Sequence, residues 1–235
     1  LASPSRHHLD SVQVLRAIAA IMDVLFHVNL FFVERLSADG EQASGVFLMG
    51  FLGVEIFFVI SGFIILHVNM GALGQPGSVG TYVYKRLVRL FPPYWIVIVL
   101  TFLAFQMDND PPPYIWDPAV LVKNVVMLSK PQESLFSLIW TLQYELIFYG
   151  LFSVFLLHRT LGVAVFAAWA GLCLLRLATG EIPSGLTRLS SAYCLLFFMG
   201  MAVAAGHARI TRRAAPALIG GGGGLFVFVI WREVA

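Results

Sequence analysis

Apolar stretches long enough to cross a bilayer recur along this chain, with short polar connections between them. The first lies between Asp10 and Asn29, DSVQVLRAIAAIMDVLFHVN, and three polar residues break into it: Arg16, Asp23 and His27. A crossing helix needs about 20 predominantly apolar residues, and ionisable groups within one are expensive in hydrocarbon. At about 100° per residue, Arg16 and His27 point within about 20° of each other, and Asp23 lies within about 40° of both. The pattern predicts a helix, from about Val12 to Val33, whose polar face is turned away from lipid. Further spans are predicted over about Val46 to Val68 and residues 81–106, 137–157, 161–178, 192–208 and 216–231. Residues 118–129 are apolar but too few to cross comfortably, so a short tilted helix or a re-entrant segment is expected there. The expected fold is all-α, a polytopic membrane helix bundle with about seven or eight transmembrane helices.

Composition supports that class. Of the 235 residues 59% are hydrophobic and 12% charged, against about a quarter charged in soluble domains. No stretch is long or polar enough to form a separate soluble module. Residues 1–9 therefore read as a short cytoplasmic lead and residues 10–235 as one membrane domain. The basic lead (Arg6, His7, His8) and the acidic stretch after the first span (Glu34, Asp39, Glu41) place the amino terminus inside. The first apolar segment is too long for a typical signal peptide and carries the charged face, so it is expected to be retained. A net charge of +2 gives no reason to expect nucleic acid as a partner. Cys173 and Cys194 fall in apolar segments as small hydrophobes, and His7 and His8 have no third ligand near them that would suggest a metal.

Candidate chemistry sits on few residues. In TYVYKRLVRLFPPYW (81–95), Arg86 and Arg89 are three apart and share a helix face. Tyr82, Tyr84, Tyr94 and Trp95 read as an interfacial aromatic belt, and Pro92-Pro93 is expected to kink or open the helix. The two guanidiniums either anchor the span at the inner leaflet or grip phosphates, to which their planar donor forks are suited. Glu145 lies among Tyr144, Phe148 and Tyr149, a setting that favours a carboxyl group able to hold a proton. Gly53, Gly62 and Ser61 in the second span suit close helix packing, and Glu55 either stays hydrated or lines a polar cavity. The five glycines 220–224 weaken any helix through them.

Four stretches in order, LRAIAAIMDVLFH (15–27), GVEIFFVISGFI (53–64), KRLVRLFPPYW (85–95) and WTLQYELIFYG (140–150), resemble the acyltransferase 3 family of integral membrane acyltransferases. The matching features are the spacing of Arg16 and His27, the paired Arg86 and Arg89, and the tryptophan-threonine-leucine motif that carries Glu145. VQVLRAIAA and TLQYELIFY are most similar to the branch that acetylates bacterial exopolysaccharides. The resemblance covers about residues 10–208 and implies acyl transfer, typically from acetyl-CoA, to a hydroxyl on a carbohydrate or lipid-linked glycan at the bacterial inner membrane. It also implies about ten spans, so the domain is expected to be incomplete at its C-terminal end. Asp23 departs from the family, which commonly has an apolar residue there.

The residues can be assigned roles on chemical grounds. His27 is suited to take the proton of the attacking hydroxyl, Arg16 to donate to the oxyanion or fix His27, and Glu145 to assist proton movement or orient the acceptor. Arg86 and Arg89 would hold the phosphates of a cytoplasmic acyl-CoA while the acceptor waits outside. For Asp23, neutralising Arg16 is favoured over orienting His27. Two other readings compete. One is a proton-coupled transporter or flippase using Arg16, Asp23, His27 and Glu145 as a relay. The other is a non-catalytic partner in glycan assembly. The sequence names neither the acceptor nor the oligomeric state.

Overall fold

The computed structural model describes residues 7–35, 49–107, 111–136, 138–180 and 186–206. Every regular element among them is helical: α1 (His7–Arg35), α2 (Leu52–Asn69), α3 (Val79–Phe105), α4 (Pro118–Val125), α5 (Ile139–Leu157), α6 (Arg159–Thr179) and α7 (Ala192–Gly206). Five, namely α1, α2, α3, α5 and α6, are long and apolar enough to cross a membrane, and α7 is a shorter apolar helix. The span expected over 216–231, with Gly220 to Gly224, lies outside the described residues, as do Asp39, Glu41 and the arginines at 209, 212 and 213.

The described chain divides into two compact units, one formed by residues up to Val68 with those from Leu195 onward, the other by Asn69–Cys194. In the first unit, α1 turns its apolar side outward, with Val14, Ile18, Ile21, Val24 and Val28 exposed. Its covered stripe runs through Val12, Arg16, Ala19, Asp23 and His27, spaced three or four residues apart as one helix face requires. This inverts the amphipathic pattern of a soluble helix, as expected where the outer solvent is lipid. Glycines bring the helices together. A Cβ on Gly50 or Gly53 would run into the backbone carbonyl of Met22 or Ala19 on α1. On α2 and α7, Gly62 faces the carbonyl of Phe197 and Gly200 that of Val59, a reciprocal backbone contact closed by the Phe58 and Phe197 rings at 4.9 Å. Lipid offers no hydrophobic drive between helices, so such close approach supplies the van der Waals contact that holds them.

In the second unit α3 runs unbroken from Val79 to Phe105 with Pro92 and Pro93 inside it, so the expected opening does not occur. The prolines only withhold N–H donors from the carbonyls of Val88 and Arg89. Tyr82, Leu90, Tyr94 and Ile98 form a buried row at four-residue spacing, with Arg86 half-buried in the same row. Tyr82 and Tyr94 thus leave the expected lipid-facing belt. They are 5% and 3% exposed, whereas Tyr84 and Trp95 remain outward. Packing between α5 and α6 is aromatic, Phe148, Phe152, Phe155, Phe166 and Trp169 meeting at centroid distances of 5.1 to 6.4 Å.

The segment at 118–129 does not cross. Helix α4 has eight residues, about 12 Å of rise against roughly 30 Å of hydrocarbon. It is pinned to the middle of α3, where the Tyr94 hydroxyl donates to the Asn124 carbonyl at 2.6 Å and Trp95 Nε1 to Val125 at 3.0 Å. The buried Asn124 amide donates to the carbonyls of Val120 and Glu133 and accepts from the Leu135 N–H, each at 2.9 Å. Gln143, on α5, donates to Met127 and Ser129 at 2.8 and 2.9 Å. Irregular backbone beside membrane helices persists only when its polar groups find such partners. A second set of carbonyls, on Thr187, Arg188 and Leu189, is gathered by Trp169, Cys173 and Arg176 of α6 and by Cys194.

Candidate functional site

The residues singled out from sequence fall into two clusters, one in each unit. On α1 the His27 Nδ1 lies 2.9 Å from the backbone carbonyl of Asp23. A carbonyl can only accept, so Nδ1 carries a proton; in the neutral ring that leaves Nε2 with the lone pair, the tautomer a general base needs. The Asp23 carboxylate Oδ1 stands 3.5 Å from the same nitrogen, with side-chain exposures of 34% for His27 and 19% for Asp23. Among the described contacts it is His27 that meets Asp23. His27 is one turn from Asp23, whereas Arg16 lies seven residues and about 10 Å along the axis away. Arg16 occupies the same covered stripe.

The second cluster is built across α3 and α5. The Arg86 guanidinium lies 5.5 Å from the ring centroids of both Tyr82, one turn before it, and Tyr149 on α5. Tyr82 meets the Phe152 ring at 5.5 Å, so α3 and α5 run antiparallel here, Tyr82 level with Phe152 and Arg86 with Tyr149. Glu145 stands one turn before Tyr149 on α5, on the side of the helix that meets Arg86. Arg89 and Lys85 are exposed while Arg86 is half-buried. A cleft of about 230 Å³ opens beside the cluster, lined by Arg86, Leu87, Leu146, Tyr149, Gly150 and Ser153 among others. A Cβ on Gly150 would meet nothing within 4 Å.

Sequence reasoning missed Asn29, Asn124 and Gln143, all buried polar side chains. Asn29 falls about 200° from His27 on the helical wheel, off the polar face that periodicity picks out. Asn124 and Gln143 act as ties for the segment between α4 and α5, and nothing in an isolated amide within an apolar run announces that role. Tyr82 and Tyr149 were visible only as aromatics; their place around Arg86 depends on the pairing of two helices.

The comparisons with known proteins agree with the motifs. A family model described as an acyltransferase domain, that of acyltransferase 3, matches residues 9–232. The O-acetyltransferase OatA of Staphylococcus aureus is 30% identical over 172 residues, covering 66% of this chain and 26% of that protein. The peptidoglycan O-acetyltransferase OatA of Listeria monocytogenes is 31% identical over 98 residues, 41% of this chain and 14% of its own length. The chain thus spans about a quarter of the length of the S. aureus relative. No solved structure matches. With a match over nearly its whole length and the family's motifs on α1, α2, α3 and α5, the chain belongs to the acyltransferase 3 family of multi-pass membrane proteins.

Proposed function

We propose that this chain is the membrane part of an O-acetyltransferase that moves an acetyl group from cytoplasmic acetyl-CoA to a hydroxyl of an extracytoplasmic glycan, with its amino terminus inside the bacterial inner membrane. The observation that carries the reading is the contact of His27 Nδ1 with the Asp23 carbonyl, which in the neutral ring directs the lone pair to Nε2. His27 Nε2 takes the proton of the acceptor hydroxyl, whose oxygen attacks the thioester carbonyl. Arg16 donates to the resulting oxyanion or holds the imidazole. Collapse expels the CoA thiolate, and the imidazolium returns its proton to that sulfur, leaving an ester, free CoA and neutral His27. Arg86 and Arg89 supply cationic forks for the donor phosphates, and Glu145 orients the acceptor or passes its proton.

The acceptor class is a cell-surface carbohydrate. The name of the L. monocytogenes relative points to peptidoglycan, and the motif forms VQVLRAIAA and TLQYELIFY point to an exopolysaccharide. Incubating the purified full chain with acetyl-CoA and either peptidoglycan fragments or exopolysaccharide, with CoA thiol and glycan ester both measured, tests the reading. Release of CoA that requires a glycan, with matching ester formation and loss of both in His27→Ala, is expected. Glycan movement across vesicles without CoA release would establish a transporter instead.

A further inference from the structure

We propose that Tyr82 and Tyr149 are positioning residues that hold the Arg86 guanidinium against two aromatic rings. Arg86 is the one half-buried cation in an otherwise buried row on α3, and a free arginine there would sample many rotamers. Two rings, each with its centroid 5.5 Å from the guanidinium carbon, reduce that freedom. Both tyrosines are themselves held: Tyr82 is 5% and Tyr149 7% exposed, and Phe152 packs on Tyr82. Only Tyr149 and Arg86 of this set line the cleft, so Tyr82 works from behind. Cation–π contacts of this kind shift the held geometry by about two- to thirtyfold each, more where water is excluded. The inference rests on the donor reading of Arg86 given above.

Two measurements on the full chain in detergent test it. In the first, KM for acetyl-CoA and kcat are compared for Tyr82→Leu, Tyr82→Phe, Tyr149→Leu and Tyr149→Phe, each alone and in an Arg86→Ala background. The leucine variants are expected to raise KM about three- to thirtyfold with kcat of Tyr82→Leu within about twofold. The phenylalanine variants restore KM, and none of the four alters KM further once Arg86 is alanine. Equal KM effects with and without Arg86 would reduce the tyrosines to packing and overturn the proposal. In the second, the Arg86 side-chain N–H resonance is assigned by its loss in Arg86→Ala and followed by NMR. Two flanking rings should move it upfield; each leucine variant should move it back, and each phenylalanine variant should leave it. An unshifted resonance in the native chain would overturn the clamp whatever the kinetics. If the resonance is shifted but Arg86→Ala leaves KM for acetyl-CoA unchanged, the clamp stands and the donor reading of Arg86 falls.

Discussion

The polar stripe of α1 and the arginine cluster of the second unit handle buried charge in different ways. On α1 the helical period alone lines up Arg16, Asp23 and His27, the ring is bonded to its own helix backbone, and about a third of the His27 side chain remains accessible. In the second unit Arg86 on α3 meets Tyr149 of α5 as well as Tyr82 of its own helix, both tyrosines are almost fully buried, and the arrangement is owed to the packing of α3 on α5. A group that must exchange a proton with a substrate needs an open lone pair. A group that must hold one orientation needs walls. The contrast suits a reactive histidine and a held arginine.

The strongest test of the contrast is His27→Ala, expected to lower acetyl transfer by roughly 10²–10⁴-fold while the protein stays inserted, since only a positioned base is lost. Undiminished transfer in a folded variant would remove the α1 side of the comparison. Next, Gly200→Leu should disrupt the first unit, because a Cβ there would collide with the Val59 carbonyl, which is backbone and cannot step aside. A large fall in melting temperature with loss of all activity is expected; a native-like melt would show that the close approach is not required. In the second unit, Asn124→Ala strips two hydrogen bonds from the segment between α4 and α5, together with one inside α4, and leaves the Leu135 N–H unpaired. That costs about 1–3 kcal/mol for each buried group left unsatisfied, read as a lower melting temperature with donor KM little changed.

Glu145→Gln sharpens the comparison further. It keeps the shape but removes the charge proposed to orient the acceptor or pass its proton, so turnover should fall about tenfold, the scale of one hydrogen bond to an ion. A drop in expression alone, with specific activity intact, would make Glu145 structural. The smallest effect is expected at Asp23→Asn, where activity should stay within about tenfold. The backbone carbonyl that fixes the imidazole tautomer is unchanged by the substitution. A thousandfold fall in a folded variant would give the carboxylate the orienting role that a catalytic triad assigns to its aspartate.

The sequence by itself determined the solvent, the helices and the reactive face. Apolar run length predicts the spans of α1, α2, α3, α5 and α6 because a bilayer has a fixed thickness, and one-helix geometry predicts that Arg16, Asp23 and His27 share a face because helical period is local. Only the tertiary structure decided that Tyr82 leaves the interfacial belt to back Arg86, and that residues 118–129 fold against Tyr94 and Trp95. Those facts depend on which helix lies beside which. In lipid, where every helix surface is apolar, hydropathy carries no record of that choice; small residues, ring faces and buried amides make it.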